Sequence, residues 1–141
     1  MSGVDARETS WDVRLSVLAG GALGTAGRAA LLWGIPPSAG GWPWATFAVN
    51  LAGAALLGWL VAGEHWGGER SRAFLTHGLC GALTTFSAFQ LEAVSLAETG
   101  HPSVAVAYLA TSVLLGLLIA SAAGALRRGF TGRRGARAAP S

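Results

Sequence analysis

The chain has 141 residues, of which 52% are apolar and only 12% charged, with 21 glycines, five prolines and one cysteine. A water-soluble domain carries about 25% charged residues, so half that share, with a mean hydropathy of +0.48, excludes an ordinary soluble domain and makes lipid the solvent; the same figures exclude disorder. The formal charge of +3 comes from ten arginines, with no lysine, against seven acids, and Cys80 alone has no partner for a disulfide or a structural zinc site.

Residues 1–14 mix Asp5, Glu8 and Asp12 with Arg7 and Arg14, unlike the positive start of a cleaved signal peptide. A first span follows over 15–33, apolar or small except for Arg28. The segment Gly34 to Pro43 holds three of the five prolines and reads as a loop. The second span, 44–63, contains no charge and reaches the roughly 20 residues that a helix needs to cross a bilayer. After a charged loop, Glu64 to Arg72, the third span at 73–96 is dense in Gly, Thr and Ser. Thr99 to Pro102 forms another turn, and the fourth span, 104–126, stops at Arg127 and Arg128. The basic tail, 127–141, has no apolar periodicity and is expected to stay unfolded. Trp42, Trp44 and Trp66 fall where interfacial tryptophans belong. The fold class is therefore an all-α integral membrane protein of four transmembrane helices.

Four spans put both termini and the middle loop on one side, together with nine of the ten arginines, leaving only Arg28 toward the other. By the positive-inside rule the termini are cytoplasmic if the chain inserts in a single orientation, and a multi-pass place in the cell membrane is expected. Membrane lipid, rather than nucleic acid, is the partner that this charge pattern fits.

Polar groups at membrane depth are costly, and this chain has few: Arg28, Asn50, His77, the Thr84, Thr85 and Ser87 cluster, Tyr108, Thr111 and Ser112. Arg28 either snorkels to the interface or shapes a pore mouth. His77, near the start of its span, reads as interfacial, since no intramembrane acid accompanies it and Glu92 lies far along the same helix. Asn50, in a charge-free span, needs partners, either as glue between helices or along an ion path. Gly20 with Gly24, Ala54 with Gly58, and Ala120 with Gly124 have the spacing that permits close helix contact.

The densest feature is Gly81-Ala82-Leu83-Thr84-Thr85-Phe86-Ser87-Ala88-Phe89 in the third span. Two threonines, a serine and a glycine are poor helix material, and their hydroxyls can bond backbone groups freed by a break. A break there is expected at the centre of the helix. Its freed carbonyls suit a small hard cation such as Na⁺. Phe86 and Phe89 share one face if the helix resumes, and ring edges favour an anion without a formal charge. The plainer alternative is a packed phenylalanine pair on a back-bonded helix.

With these residues the chain resembles the CrcB, or Fluc, family of fluoride channels. The resemblance rests on GGALGTAGR at Gly20 to Arg28, Thr46-Phe47-Ala48-Val49-Asn50-Leu51-Ala52-Gly53, GLCGALTTFSAFQLE at Gly78 to Glu92, and Tyr108 with Ser112 one turn apart. It spans roughly Leu15 to Leu126. It implies an antiparallel dimer of four-helix subunits with two fluoride paths and a structural, untransported Na⁺ at the centre. The implied sodium ligands are the backbone carbonyls of Gly81 and Thr84. The implied fluoride path uses Asn50, Phe86, Phe89, Thr85, Tyr108 and Ser112, while Gly116 stands where a further hydroxyl is expected. The function implied is passive export of cytoplasmic fluoride.

The arginine asymmetry is strong for a homodimer whose subunits insert both ways, so pairing with an oppositely oriented homologue is the other arrangement. Two rival functions remain: a small proton-coupled multidrug exporter, which needs an embedded carboxylate that the first span lacks, and a non-transporting accessory subunit. No Ser/His/acid set, metal-ligand cluster or phosphate loop marks an enzyme.

Overall fold

The structure is a computed structural model that describes the backbone of residues 3–35, 41–63 and 68–138, with side chains at 10–35, 41–63 and 68–130. Among the described residues every regular element is helical. In chain order these are α1 (Gly3–Gly34), α2 (Trp44–Val61), α3 (Glu69–Ala73), a π-helical segment (Phe74–Cys80), α4 (Gly81–Leu83), α5 (Phe86–Glu98) and α6 (Pro102–Ala138). Four helical stretches are long and apolar enough to cross a membrane: Ser10–Gly34, Trp44–Val61, Glu69–Glu98 and Pro102–Phe130. The third of these is assembled from α3, the π segment, α4 and α5, with the chain extended between α4 and α5.

Glycine decides which helices meet. A Cβ on Gly20 would run into the Phe74 carbonyl oxygen, and one on Gly24 into that of Leu79, so α1 lies backbone to backbone on the π segment. Gly58 likewise faces the Ala120 carbonyl of α6, and a Cβ on Gly124 would stand 3.3 Å from the Gly58 carbonyl. Three of the small residues singled out by spacing, Gly20, Gly24 and Gly58, thus mark crossings that no larger side chain fits.

The interior is small. Phe89, Ala93 and Leu96 of α5 pack with Ala105 and Tyr108 of α6, and Trp42, Phe47 and Val104 lean against them. Elsewhere large apolar side chains face outward along whole helices, among them Leu18, Leu114, Leu117 and Leu118. That pattern suits helices solvated by hydrocarbon.

Three boundaries differ from the sequence expectation. The tail after Arg128 was expected to be unfolded, whereas α6 continues as helix to Ala138. Extending an existing helix needs no new nucleus, so α6 runs on although this stretch contains Gly129, Gly132 and Gly135 beside its alanines and arginines, and no proline comes before Pro140. At the other end α1 begins at Gly3, ahead of the first apolar residue of the span. The loop expected from Glu64 to Arg72 is already helical from Glu69, and Arg70 pairs there with Asp12 of α1. Trp66 lies outside the described residues.

Candidate functional site at the broken third helix

The break is two residues long. Thr84 (φ −75°, ψ 155°) and Thr85 (φ −144°, ψ 118°) are both extended, and helix resumes at Phe86. Local chemistry explains the resumption. Thr85 Oγ1 accepts the backbone N–H of Ala88 at 3.2 Å, an N-cap that satisfies one of the free donors of α5. Ser87 Oγ lies 3.4 Å from the same hydroxyl.

Long-range chemistry holds the break open. Asn50 of α2 donates from Nδ2 to the Thr85 carbonyl at 3.1 Å, and its Oδ1 accepts the Thr85 N–H at 2.9 Å. In an unbroken helix that N–H would serve the Gly81 carbonyl, and the Ala88 N–H would serve Thr84. Asn50 takes the first donor and Thr85 Oγ1 the second. The carbonyls of Gly81 and Thr84 are therefore released by two identifiable side chains. They are uncharged oxygen donors, the kind that hard cations take. Arg28 Nη1 reaches the Thr84 carbonyl at 3.4 Å. Thr84's own hydroxyl turns back to the Cys80 carbonyl at 3.0 Å, leaving the break to its main chain.

Gly53 lets α2 come this close, since a Cβ there would overlap the Thr84 γ-methyl group. A cavity of about 420 Å³ opens between α2, the break and α6, lined by Asn50, Gly53, Ala54, Leu57, Thr76, Cys80, Gly81, Thr84, Thr85, Phe86, Phe89, Ser112 and Val113. None of these residues is acidic. The Ser112 hydroxyl is buried with no hydrogen-bond partner among the described residues. Asn50 spends one of its two amide hydrogens on Thr85, and the other has no partner among the described residues. The rings of Phe86 and Phe89 stand 6.0 Å apart, on one side of α5. Phe89 is 8% exposed and Phe86 70%, so the cavity has one ring in the interior and one on the open flank of the subunit.

Of the residues singled out by sequence, Asn50, Gly81, Thr84, Thr85, Phe86, Phe89 and Ser112 converge on this cavity. Tyr108 does not line it. It is fully buried behind Phe89, ring centroids 5.2 Å apart, and donates its hydroxyl to Glu92 Oε2 at 2.8 Å. Arg28 reaches the break from α1. Gly116 faces open space. His77 is exposed on the π segment, with Nδ1 3.0 Å from the Thr76 hydroxyl.

Sequence reasoning missed Thr46 and the setting of Glu92. Thr46 Oγ1 donates to Glu92 Oε1 at 2.6 Å, so hydroxyls from α2 and α6 engage both oxygens of a carboxylate on α5. A signal existed: Thr46 stands four residues before Asn50, hence on the same face of α2.

Comparison with known proteins shows the family. Residues 15–125 match the family model described as CrcB-like protein, Camphor Resistance (CrcB). A Mycobacterium bovis protein named fluoride-specific ion channel FluC 1 is 45% identical over 125 residues, covering 84% of this chain and 92% of its own length. Streptomyces avermitilis FluC 2, of the same description, is 39% identical over 116 residues, 76% of this chain and 72% of that protein. Rhizobium meliloti FluC is 39% identical over 118 residues, 81% and 94% of the two chains. With the family model matched across all four spans and identities of this size over most of both lengths, the chain belongs to the CrcB family.

Proposed function

We propose that this chain forms a fluoride-selective passive channel of the cell membrane that lets cytoplasmic fluoride out. The observation that carries the reading is the cavity itself. Its lining sets the Asn50 amide beside two phenylalanine rings and no carboxylate, with the Ser112 hydroxyl, unpartnered among the described residues, buried in its wall. Fluoride is small and strongly hydrated, so a path must replace its water with oriented donors and still let it leave. Hydroxyl, amide and ring edge do this without the formal charge that would trap the ion. The family relationship supports the same substrate.

The exposed ring of Phe86 and the open flank of the cavity favour a second subunit that closes the path, in antiparallel orientation as the resemblance implies. The same flank carries Gly81 and Thr84. Their two released carbonyls fit half of a coordination shell for Na⁺, completed by the same two residues of a second subunit. Bound there, sodium supplies a fixed positive charge that favours anions nearby. The chain's own part is to keep those carbonyls out of the helix, through Asn50 and Thr85.

The multidrug-exporter reading needs a carboxylate free to exchange protons with a cargo. Glu92, the acid at depth, has both oxygens engaged by Thr46 and Tyr108. The test is fluoride efflux from potassium-loaded liposomes with a valinomycin shunt, beside a chloride control. Rapid fluoride release without chloride supports the channel and shows that one gene product suffices. Silence from this chain alone, with recovery on adding an oppositely oriented homologue, supports a heterodimer. Silence in both settings overturns the channel.

A further inference from the structure

Arg28 sits 56 residues before Thr84, yet its guanidinium donates to the Thr84 carbonyl at 3.4 Å. The approach is built into α1: one turn earlier, Gly24 presses the helix onto the Leu79 carbonyl and the Leu83 amide, where a Cβ would not fit. A merely snorkelling arginine has no need of a carbonyl on another helix. Among the described residues no acid pairs with Arg28; the ion pair present joins Arg70 to Asp12. Among the described residues its charge therefore acts on the break with no acid beside it.

We propose that Arg28 is a positioning residue that engages the Thr84 carbonyl as a built-in cation and thereby sets how tightly sodium binds the break. This rests on the sodium reading above. The carbonyl oxygen has two lone pairs, so it can serve the guanidinium and a metal ion together, but two like charges on one oxygen repel. At 3.4 Å the hydrogen bond is long for N–H···O and gives way easily. When no sodium is present, Arg28 keeps the Thr84 carbonyl turned away from the Ala88 N–H and holds the break extended. When sodium is present, the arginine's charge opposes it and keeps its affinity modest.

The experiment follows thermal unfolding of the purified protein while sodium replaces potassium at constant ionic strength, with no fluoride needed. In the unsubstituted protein sodium raises the melting temperature with a saturable midpoint. Arg28→Gln, which keeps an N–H donor and loses the charge, lowers that midpoint about tenfold, whereas Arg28→Lys, which keeps the charge, stays within about twofold. A midpoint that is unchanged or higher in Arg28→Gln overturns the proposal. Arg28→Met makes the same test if the glutamine variant fails to assemble, and failure of both at saturating sodium also overturns it, since sodium should then hold the break alone. An unsubstituted protein that conducts fluoride but shows no sodium response removes the sodium reading itself, a result distinct from an unshifted midpoint.

Discussion

The middle and the C-terminal end of α2 use glycine for opposite purposes. At Gly58 the helix meets α6 at Ala120, an intact helix whose carbonyls are already satisfied, and the close approach yields packing alone. At Gly53, five residues earlier, the helix meets the break, and the same closeness brings Asn50 within reach of unpaired backbone. Small residues grant proximity. What the opposite backbone leaves unsatisfied decides whether proximity becomes a site.

The packing end is the one to break first. Gly58→Val places a branched side chain against the Ala120 carbonyl, with backbone on both sides and no flexible group to yield. We expect a loss of about 3 kcal/mol or more, seen as little or no monodisperse protein by size-exclusion chromatography. A well-behaved valine variant with an unchanged melting temperature would show that α2 and α6 are not in backbone contact.

At the site, Asn50→Ala removes both hydrogen bonds that hold Thr85. The Thr85 N–H is then free to return to the Gly81 carbonyl, closing the helix over a cavity that needs it open. Two hydrogen bonds at about 1 kcal/mol each correspond to a flux loss of roughly 30-fold, and the missing amide donor brings the expected loss to about 100-fold. Electrode-monitored efflux from liposomes gives the number. Flux within threefold of the unsubstituted channel would make Asn50 simple glue.

Gly53→Ala separates closeness from chemistry. The new methyl overlaps the γ-methyl of Thr84 and pushes α2 off the break, lowering flux about tenfold. Thr84→Ser removes that γ-methyl and keeps the hydroxyl, so the double variant should regain most of the loss. No rescue would mean that Gly53 serves something other than its contact with Thr84.

These residues also show how far the sequence could be read. Span number, the weak third helix and the Thr84 to Phe89 cluster were legible, because hydropathy and helix propensity are local properties. The destination of Arg28, the two-way bond between Asn50 and Thr85, and the carboxylate of Glu92 shared by Thr46 and Tyr108 were not, since each joins residues on different helices. Periodicity tells which face of a helix is polar and not what stands opposite. The π-helical Phe74–Cys80 was equally hidden, since nothing in its own residues announces it; in the fold it lies against the backbone of α1 at Gly20 and Gly24.

Ser112 sharpens the comparison at lower amplitude. Its hydroxyl is buried beside the cavity with no partner among the described residues, which costs folding free energy unless a permeating ion uses it. Ser112→Ala should therefore slow fluoride about fivefold and leave stability equal or about 1 kcal/mol higher. A slower and less stable variant would instead indicate a hydrogen bond made within the fold.

The smallest effect is expected at the residue nearest the proposed ion. Thr84 Oγ1 donates to the Cys80 carbonyl at 3.0 Å, but that carbonyl already accepts the Thr84 backbone N–H at 3.1 Å. Removing the hydroxyl in Thr84→Ala leaves no buried group unpaired, and the carbonyl freed by Thr85 is untouched. Flux and the sodium midpoint should both stay within about twofold of the unsubstituted protein. A large sodium shift would place the side chain, and not the main chain, on the ion, and would reverse the contrast with Asn50, where the side chain matters because it controls what the backbone is free to do.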